Sequence, residues 1–278
     1  MLTIIDLRLT MAFSSLLRYT LYLLLLLPFA AQANNAVVNL HLARPSIVES
    51  PTNQYIHALL TQSFAKVGKE VNFIYSIKPM NKKRITGELY KPGGINLAWL
   101  SIEPSAHNDL LHTSSPLYKG IHGKRLLMIN KNQQAIFKRI SSLNQLKPLV
   151  GLQKQSWSDY KVLKRSGLTV NGELSYKSMI KALDTNLGDY FPRSVSAIEA
   201  ELAKQKHVDL MIEPTIMLQY PSHYYFYTHN RNKDLLILLE SGLTQLQQSG
   251  EFELLYQRFF GEKEKRLNLS SRKVFNLE

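Results

Sequence analysis

From Ala36 onward, short apolar runs alternate with segments whose apolar positions recur at helical spacing, the pattern of α/β units. "AVVNLHLA" reads as a strand that ends at Arg44 and Pro45. "NQYIHALLTQSFAKVG" places Tyr55, Ile56, Leu59, Leu60, Phe64 and Val67 on one helical face and closes at Gly68. "VNFIYSI" is a β-rich strand, and "GGINLAWLSI" is another after the "KPGG" turn.

The second half keeps the rhythm. "GKRLLMINK" and "LVGLQ" read as strands on either side of a short helix, "FKRISSLNQLKP", stopped by Pro148. "SWSDYKVLKRSG" reads as a helix capped by Ser156 and closed by Gly167. After the strand "LTVNGEL" and the helix "SYKSMIKALDTNLG", the short strand "DYFP" is expected to stop at Pro192. The helix "SVSAIEAELAKQ" can start at Ser194 or Ser196, with Glu199 placed for a capping box on Ser196. "VDLMIEP" and "HYYFYTH" are strands, and "KDLLILLESGLTQLQQSG" and "EFELLYQRFFG" are helices.

The first residues follow a different logic. "LYLLLLLPFAAQA" is a short apolar run with Arg18 upstream and the small-x-small ending Ala31, Gln32, Ala33. That is the pattern of a secretory signal peptide over residues 1–33, cleaved after Ala33, and it is too short and too broken by Pro28 to span a bilayer comfortably. Met11 is an alternative start. Removing Arg8, Arg18 and Asp6 with this segment takes the formal charge from +13 to +12. A chain with no cysteine has neither disulfides nor thiolate metal sites, which suits an exported protein of a bacterial periplasm. Its basic balance would suit nucleic acid, but the lysines and arginines are scattered and the export signal points elsewhere, so no nucleic-acid partner is expected.

Several motifs, in their order and spacing, resemble the type II periplasmic solute-binding proteins of family 3, the group of polar amino acid receptors. They are "HTSSPLYKGIHGKRLLMI", "LVGLQKQSWSDYKVLKRSG" and "DLLILLESGLTQLQQSGEFELLYQRFFG". Through "DYFPRSVSAIEAEL" and "IEPTIMLQYPSHYYFYTHNRN" the chain resembles a divergent subgroup of that family. The resemblance runs from about Val37 to Gly261 and implies an α/β fold of two lobes joined by two crossing hinge strands, with ligand held between them. Lobe one would comprise residues 37–119 and 223–260, and lobe two residues 120–222. Residues 261–278 form a tail outside the shared pattern, an arm that could pack on a lobe.

In the relatives that bind α-amino acids, a lobe-one Arg pairs with the carboxylate and a lobe-two Asp with the ammonium. The first position falls here on His107 or Asn108, and the second, counted from Asp189, on Ser194 beside Arg193. A hydroxyl and a cation stand where an acid would receive an ammonium, so a small polar ligand, anionic or a polyol, is expected, with the anion favoured. Arg193 is either a cleft residue or the cation of a structural salt bridge. Arg44, at a strand's carboxyl edge, is either a contact or an exposed residue before Pro45. Trp99 can be core or cleft wall, and Ser101 matches a contact position of the family. Gln155, Ser156 and Trp157 open a helix whose amides can face an anion, with Ser156 alternatively a plain N-cap. Tyr118, in the first crossing segment, can line the cleft or pack the hinge.

No enzyme is expected. "SFAK" (residues 63–66) matches the serine-x-x-lysine pattern but sits in an amphipathic helix without its lysine-threonine-glycine partner. No metal site or cofactor is expected: His107 and His112 are five apart, the wrong spacing for one helical face. The expectation is a monomeric periplasmic binder of a small molecule that serves a membrane permease, or alternatively a sensory module that presents its ligand state to a membrane receptor.

Overall fold

The computed structural model describes residues 37–45, 50–102 and 107–278; the expected signal peptide lies outside these residues. The chain begins with β1 (Val37–Arg44), α1 (Pro51–Lys66), β2 (Glu70–Pro79), α2 (Lys82–Leu89), β3 (Ala98–Leu100) and β4 (Leu110–His112). It then builds β5 (Lys124–Asn130), α3 (Gln134–Lys138), α4 (Leu143–Leu146), β6 (Val150–Leu152), α5 (Ser158–Arg165), β7 (Thr169–Asn171) and α6 (Tyr176–Asp184). β8 (Phe191–Ser194), α7 (Ile198–Ala203) and β9 (Leu210–Gln219) follow. Then come β10 (Tyr225–His229), α8 (Lys233–Gln248), α9 (Glu251–Tyr256), α10 (Glu262–Arg266) and β11 (Lys273–Asn276).

The strands sort into two lobes. Lobe one holds the parallel pair β1–β2 and the antiparallel set β3-β10-β4; lobe two holds β11-β9-β5-β8 and the parallel pair β6–β7. Helices α1 and α8 back lobe one. Ser50 caps α1 by accepting from the Asn53 amide, and Pro51 sits in its first turn, where a missing N–H costs nothing. The buried face of α1 (Tyr55, Ile56, Leu59, Leu60, Phe64) meets Leu239, Leu243 and Leu246 of α8 in one core. Gly242 permits this approach, since a Cβ there would lie 1.9 Å from the Ser63 carbonyl oxygen.

The chain passes between the lobes along two adjacent segments, from β4 to β5 and from β9 back to β10. They are tied by Leu117 N–H donating to Tyr224 O (2.9 Å) and Tyr220 N–H donating to Gly123 O (3.2 Å). A Cβ on Gly123 would lie 2.0 Å from the Tyr220 carbonyl oxygen, so only glycine lets the segments run this close. Tyr118 is buried among Tyr55, His122, Tyr224 and Phe260 and belongs to this packing.

Several elements differ from the sequence reading. Strand β8 runs through Pro192 rather than stopping there: it is the edge of its sheet, where the missing N–H breaks no essential ladder bond. Helix α7 starts at Ile198 with no side-chain cap, because Glu199 is drawn to Arg266 (2.6 and 2.9 Å) instead of Ser196. Strand β9 continues past Pro214 through a register shift against β5. There Glu213 turns inward and accepts from the amides of Thr215 (2.9 Å) and Ile216 (2.5 Å).

The tail crosses the lobes a third time. α9, a π-helical turn over Gln257–Gly261 and α10 run on from one another. From there the chain adds β11 parallel to β9, with Phe275 and Leu277 in the lobe-two core. Arg272 is buried and donates to the carbonyls of Leu267 (2.8 Å), Ile216 (3.2 Å) and Glu213, with the Glu213 carboxylate 4.0 Å away.

Candidate functional site

Two cavities are lined from the start of α2 and the β3 stretch. The larger, about 1050 Å³, lies between the lobes. Lobe one contributes Lys82, Ser101 and Tyr225 to it, and lobe two contributes Gln155, Ser156, Trp157, Lys161 and Arg165. Of the residues singled out from the sequence, Ser101, Gln155, Ser156 and Trp157 therefore face one space. No carboxylate lines it among the described residues, and neither Lys161 nor Arg165 is ion-paired among them.

The lobe-two wall is built on α5. Its first helical residue is Ser158 and its N-cap is Trp157, which makes no side-chain cap bond; Ser156, expected as the cap, is one residue too early. The helix is anchored through Asp159 in its first turn. Arg125 Nε donates to Asp159 Oδ2 (2.6 Å) and Nη2 to Oδ1 (3.1 Å), while Arg125 Nη1 holds the His122 carbonyl (2.8 Å) and Tyr220 adds its hydroxyl to the same carboxylate. Burial pushes the Asp159 carboxyl up, but its bond to and charge pairing with Arg125 and the Tyr220 bond outweigh it and hold the carboxyl below its ordinary value. Both crossing segments thus grip the helix that carries the cleft cations, and Lys161 and Arg165, at i and i+4, share one face.

Arg193 is placed differently from a ligand contact. Its guanidinium meets the Glu201 carboxylate side-on, with Nε donating at 2.5 Å and Nη2 donating to the other oxygen. The same group lies over the rings of Phe191 (4.7 Å) and Trp157 (5.0 Å). The charge is neutralised inside lobe two, and the stack steadies the Trp157 ring that faces the cleft. Ser194 bonds Ser196 through its hydroxyl (2.8 Å) and lines neither cavity.

The second cavity, about 310 Å³, sits in lobe one beside α2 and β3. Trp99, Met80, Ile85 and Pro45 give it an apolar wall, with Arg44 at its rim. Arg44 Nε donates to the Ser76 carbonyl (3.0 Å), and its Nη atoms make no hydrogen bond among the described residues. His107 is not part of either space: its Nδ1 lies 3.4 Å from the Tyr90 hydroxyl on lobe one, and Asn108 beside it is exposed. Lys82, Lys161 and Arg165 were not singled out from the sequence. The i, i+4 spacing of the last two on the helix that opens at Trp157 was the signal available for them.

Among the described residues, no group of three acidic or histidine side chains could hold a metal ion, and no helix is long and apolar enough to cross a membrane.

Neither a protein-family model nor a curated protein sequence matches the chain. Solved structures do. The second substrate-binding domain of GlnP from Lactococcus lactis, in an open conformation, superposes with a TM-score of 0.54 at 15% identity over 81% of this chain and 96% of that one. The unliganded, open L-cystine solute receptor of Neisseria gonorrhoeae gives 0.55 at 13% identity over 82% and 94%. At such identities the likeness speaks for architecture. The two lobes, the paired crossing segments and these superpositions together give the chain the two-lobed fold of the type II periplasmic binding proteins.

Proposed function

We propose that this chain is an exported, periplasmic solute-binding protein that closes its lobes over a small anionic solute and hands it to a membrane permease. The observation that carries this reading is the cleft's charge. Three cations, Lys82, Lys161 and Arg165, line a space of about 1050 Å³ into which no described carboxylate projects. Unpaired cations facing each other across a cleft repel, and an anion between them removes that repulsion while gaining charge-assisted hydrogen bonds. Residues 120–222 would swing as the mobile lobe, bringing α5 toward Ser101 and Lys82. The structural neighbours, a transporter's substrate-binding domain and a solute receptor, support the general role of ligand capture for uptake.

The test is a thermal-melting screen of the protein without its first 33 residues against carboxylates, phosphates, amino acids, sugars and polyamines. A ligand present at 100 times its dissociation constant adds about 2.7 kcal/mol of stability, a shift readily seen. Stabilisation by one anion class is expected. Stabilisation by amino acids or polyamines alone would refute the anionic reading while leaving a solute-binding role intact.

A further inference from the structure

The two cavities are lined from the same two stretches, residues 80–85 and 98–102, and have opposite chemistry. Met80 and Ile85 face the apolar one while Lys82, between them in sequence, faces the cationic one. Trp99 and Ser101 are likewise two residues apart along one extended stretch, and residues so spaced share a face. The partition between them is the junction of these stretches, where the Lys82 ammonium donates to the Ser101 carbonyl and ties the start of α2 to the end of β3. A ligand that spans the partition would meet an indole and aliphatic wall at one end and Lys82, Lys161 and Arg165 at the other.

We infer that the solute is amphipathic: a compact apolar moiety, about one aromatic ring in size, that bears an anionic group. The inference rests on the anionic reading of the cleft and adds an apolar arm to it. The ring sits in the 310 Å³ cavity against Trp99, and the anion points into the interlobe space. A cavity of this volume is at the small end of those that hold organic ligands, of about 300 Å³ and upward. A purely hydrophilic dianion would leave the Trp99, Met80 and Ile85 wall facing water when the lobes close, and apolar surface left wet contributes nothing to closure. A zwitterionic amino acid would bring an ammonium toward three cations with no described carboxylate on either cavity to receive it.

The two tryptophans of the chain make the test selective, since Trp99 lines the apolar cavity and Trp157 the cationic one. In a Trp157→Phe protein, emission reports Trp99 alone. It would be titrated with phenylacetate and 3-phenylpropionate, and in parallel with acetate, succinate, phenylacetamide and phenethylamine. The aryl carboxylates are expected to bind about tenfold or more tightly than acetate, from burial of the ring, and to change Trp99 emission. Phenylacetamide and phenethylamine, which keep the ring and lose the negative charge, are expected to bind at least about tenfold more weakly than phenylacetate. Calorimetry on a Trp99→Leu protein should bring phenylacetate down to the level of acetate with the acetate affinity kept. Succinate or acetate binding as tightly as the aryl carboxylates would overturn the apolar arm and leave the anion site standing. A preference for phenethylamine would overturn both. Absence of binding by every probe at millimolar concentration would also overturn the arm.

Discussion

Lobe two holds two populations of cations that behave in opposite ways. Arg125, Arg193 and Arg272 lie in its interior, each against a carboxylate: Asp159 at 2.6 Å, Glu201 at 2.5 Å and Glu213 at 4.0 Å. Lys161 and Arg165, a few residues from Asp159 on the same helix, are exposed and face the interlobe space without an ionic partner among the described residues. A buried cation without its carboxylate is costly, so the interior charges are tied to the fold. A cation kept at the cleft without a partner is free to meet a solute. The difference separates arginines that position the site from cations that would touch its ligand.

The comparison can be broken first at Arg272. Arg272→Ala leaves the Glu213 carboxylate buried and removes the donor to three carbonyls; a stability loss of about 3 to 5 kcal/mol is expected in urea unfolding. A loss below about 1 kcal/mol would mean that the tail strand β11 is dispensable to lobe two.

A smaller effect is expected from acid. His122, in the first crossing segment, packs edge-on to Tyr118 (4.4 Å) and against Tyr224 (4.9 Å), with Arg125 alongside. Burial, and secondarily the Arg125 charge, lowers its pKa to about 4. Between that value and the ordinary histidine range the unfolded chain binds a proton that the native protein does not. Stability should therefore be flat above about pH 6.5 and decline as pH falls toward 4, by up to about 3 kcal/mol. The His122→Gln protein should lose that part of the slope, as read from unfolding midpoints between pH 7 and 4.

Much of the frame could be read from the order of apolar runs. The span of α1, its close at Gly68 and the strands β1, β2, β5 and β10 follow from periodicity and turn residues. Helix α2 could not be read, because "KKRITGEL" has only Ile85 and Leu89 as large apolar residues and is held by the Asn81 cap and the Lys82–Ser101 bond. Strand β11 was equally hidden: four residues, "KVFN", become a strand only through pairing with β9, some 57 residues earlier in the chain. Ser101 and the Gln155–Trp157 turn, expected from their places at strand ends, line the interlobe cavity. The pairing of Arg193 with Glu201 was not, since it depends on how β8 and α7 fold back on one another. His107, reached by motif counting, lines neither cavity, and its ring lies beside Tyr90.

The account turns on the two cations of α5 that have no ionic partner among the described residues, and the most direct measurement is made on a protein with Lys161→Gln and Arg165→Gln together. Its stability without ligand should match that of the unchanged protein to within about 0.5 kcal/mol, because exposed unpaired cations contribute little to folding. Its affinity for phenylacetate, followed by calorimetry at low salt, should fall by about tenfold or more, the loss shrinking as salt is raised. An unchanged affinity would contradict the assignment of the cleft as an anion site built on lobe two.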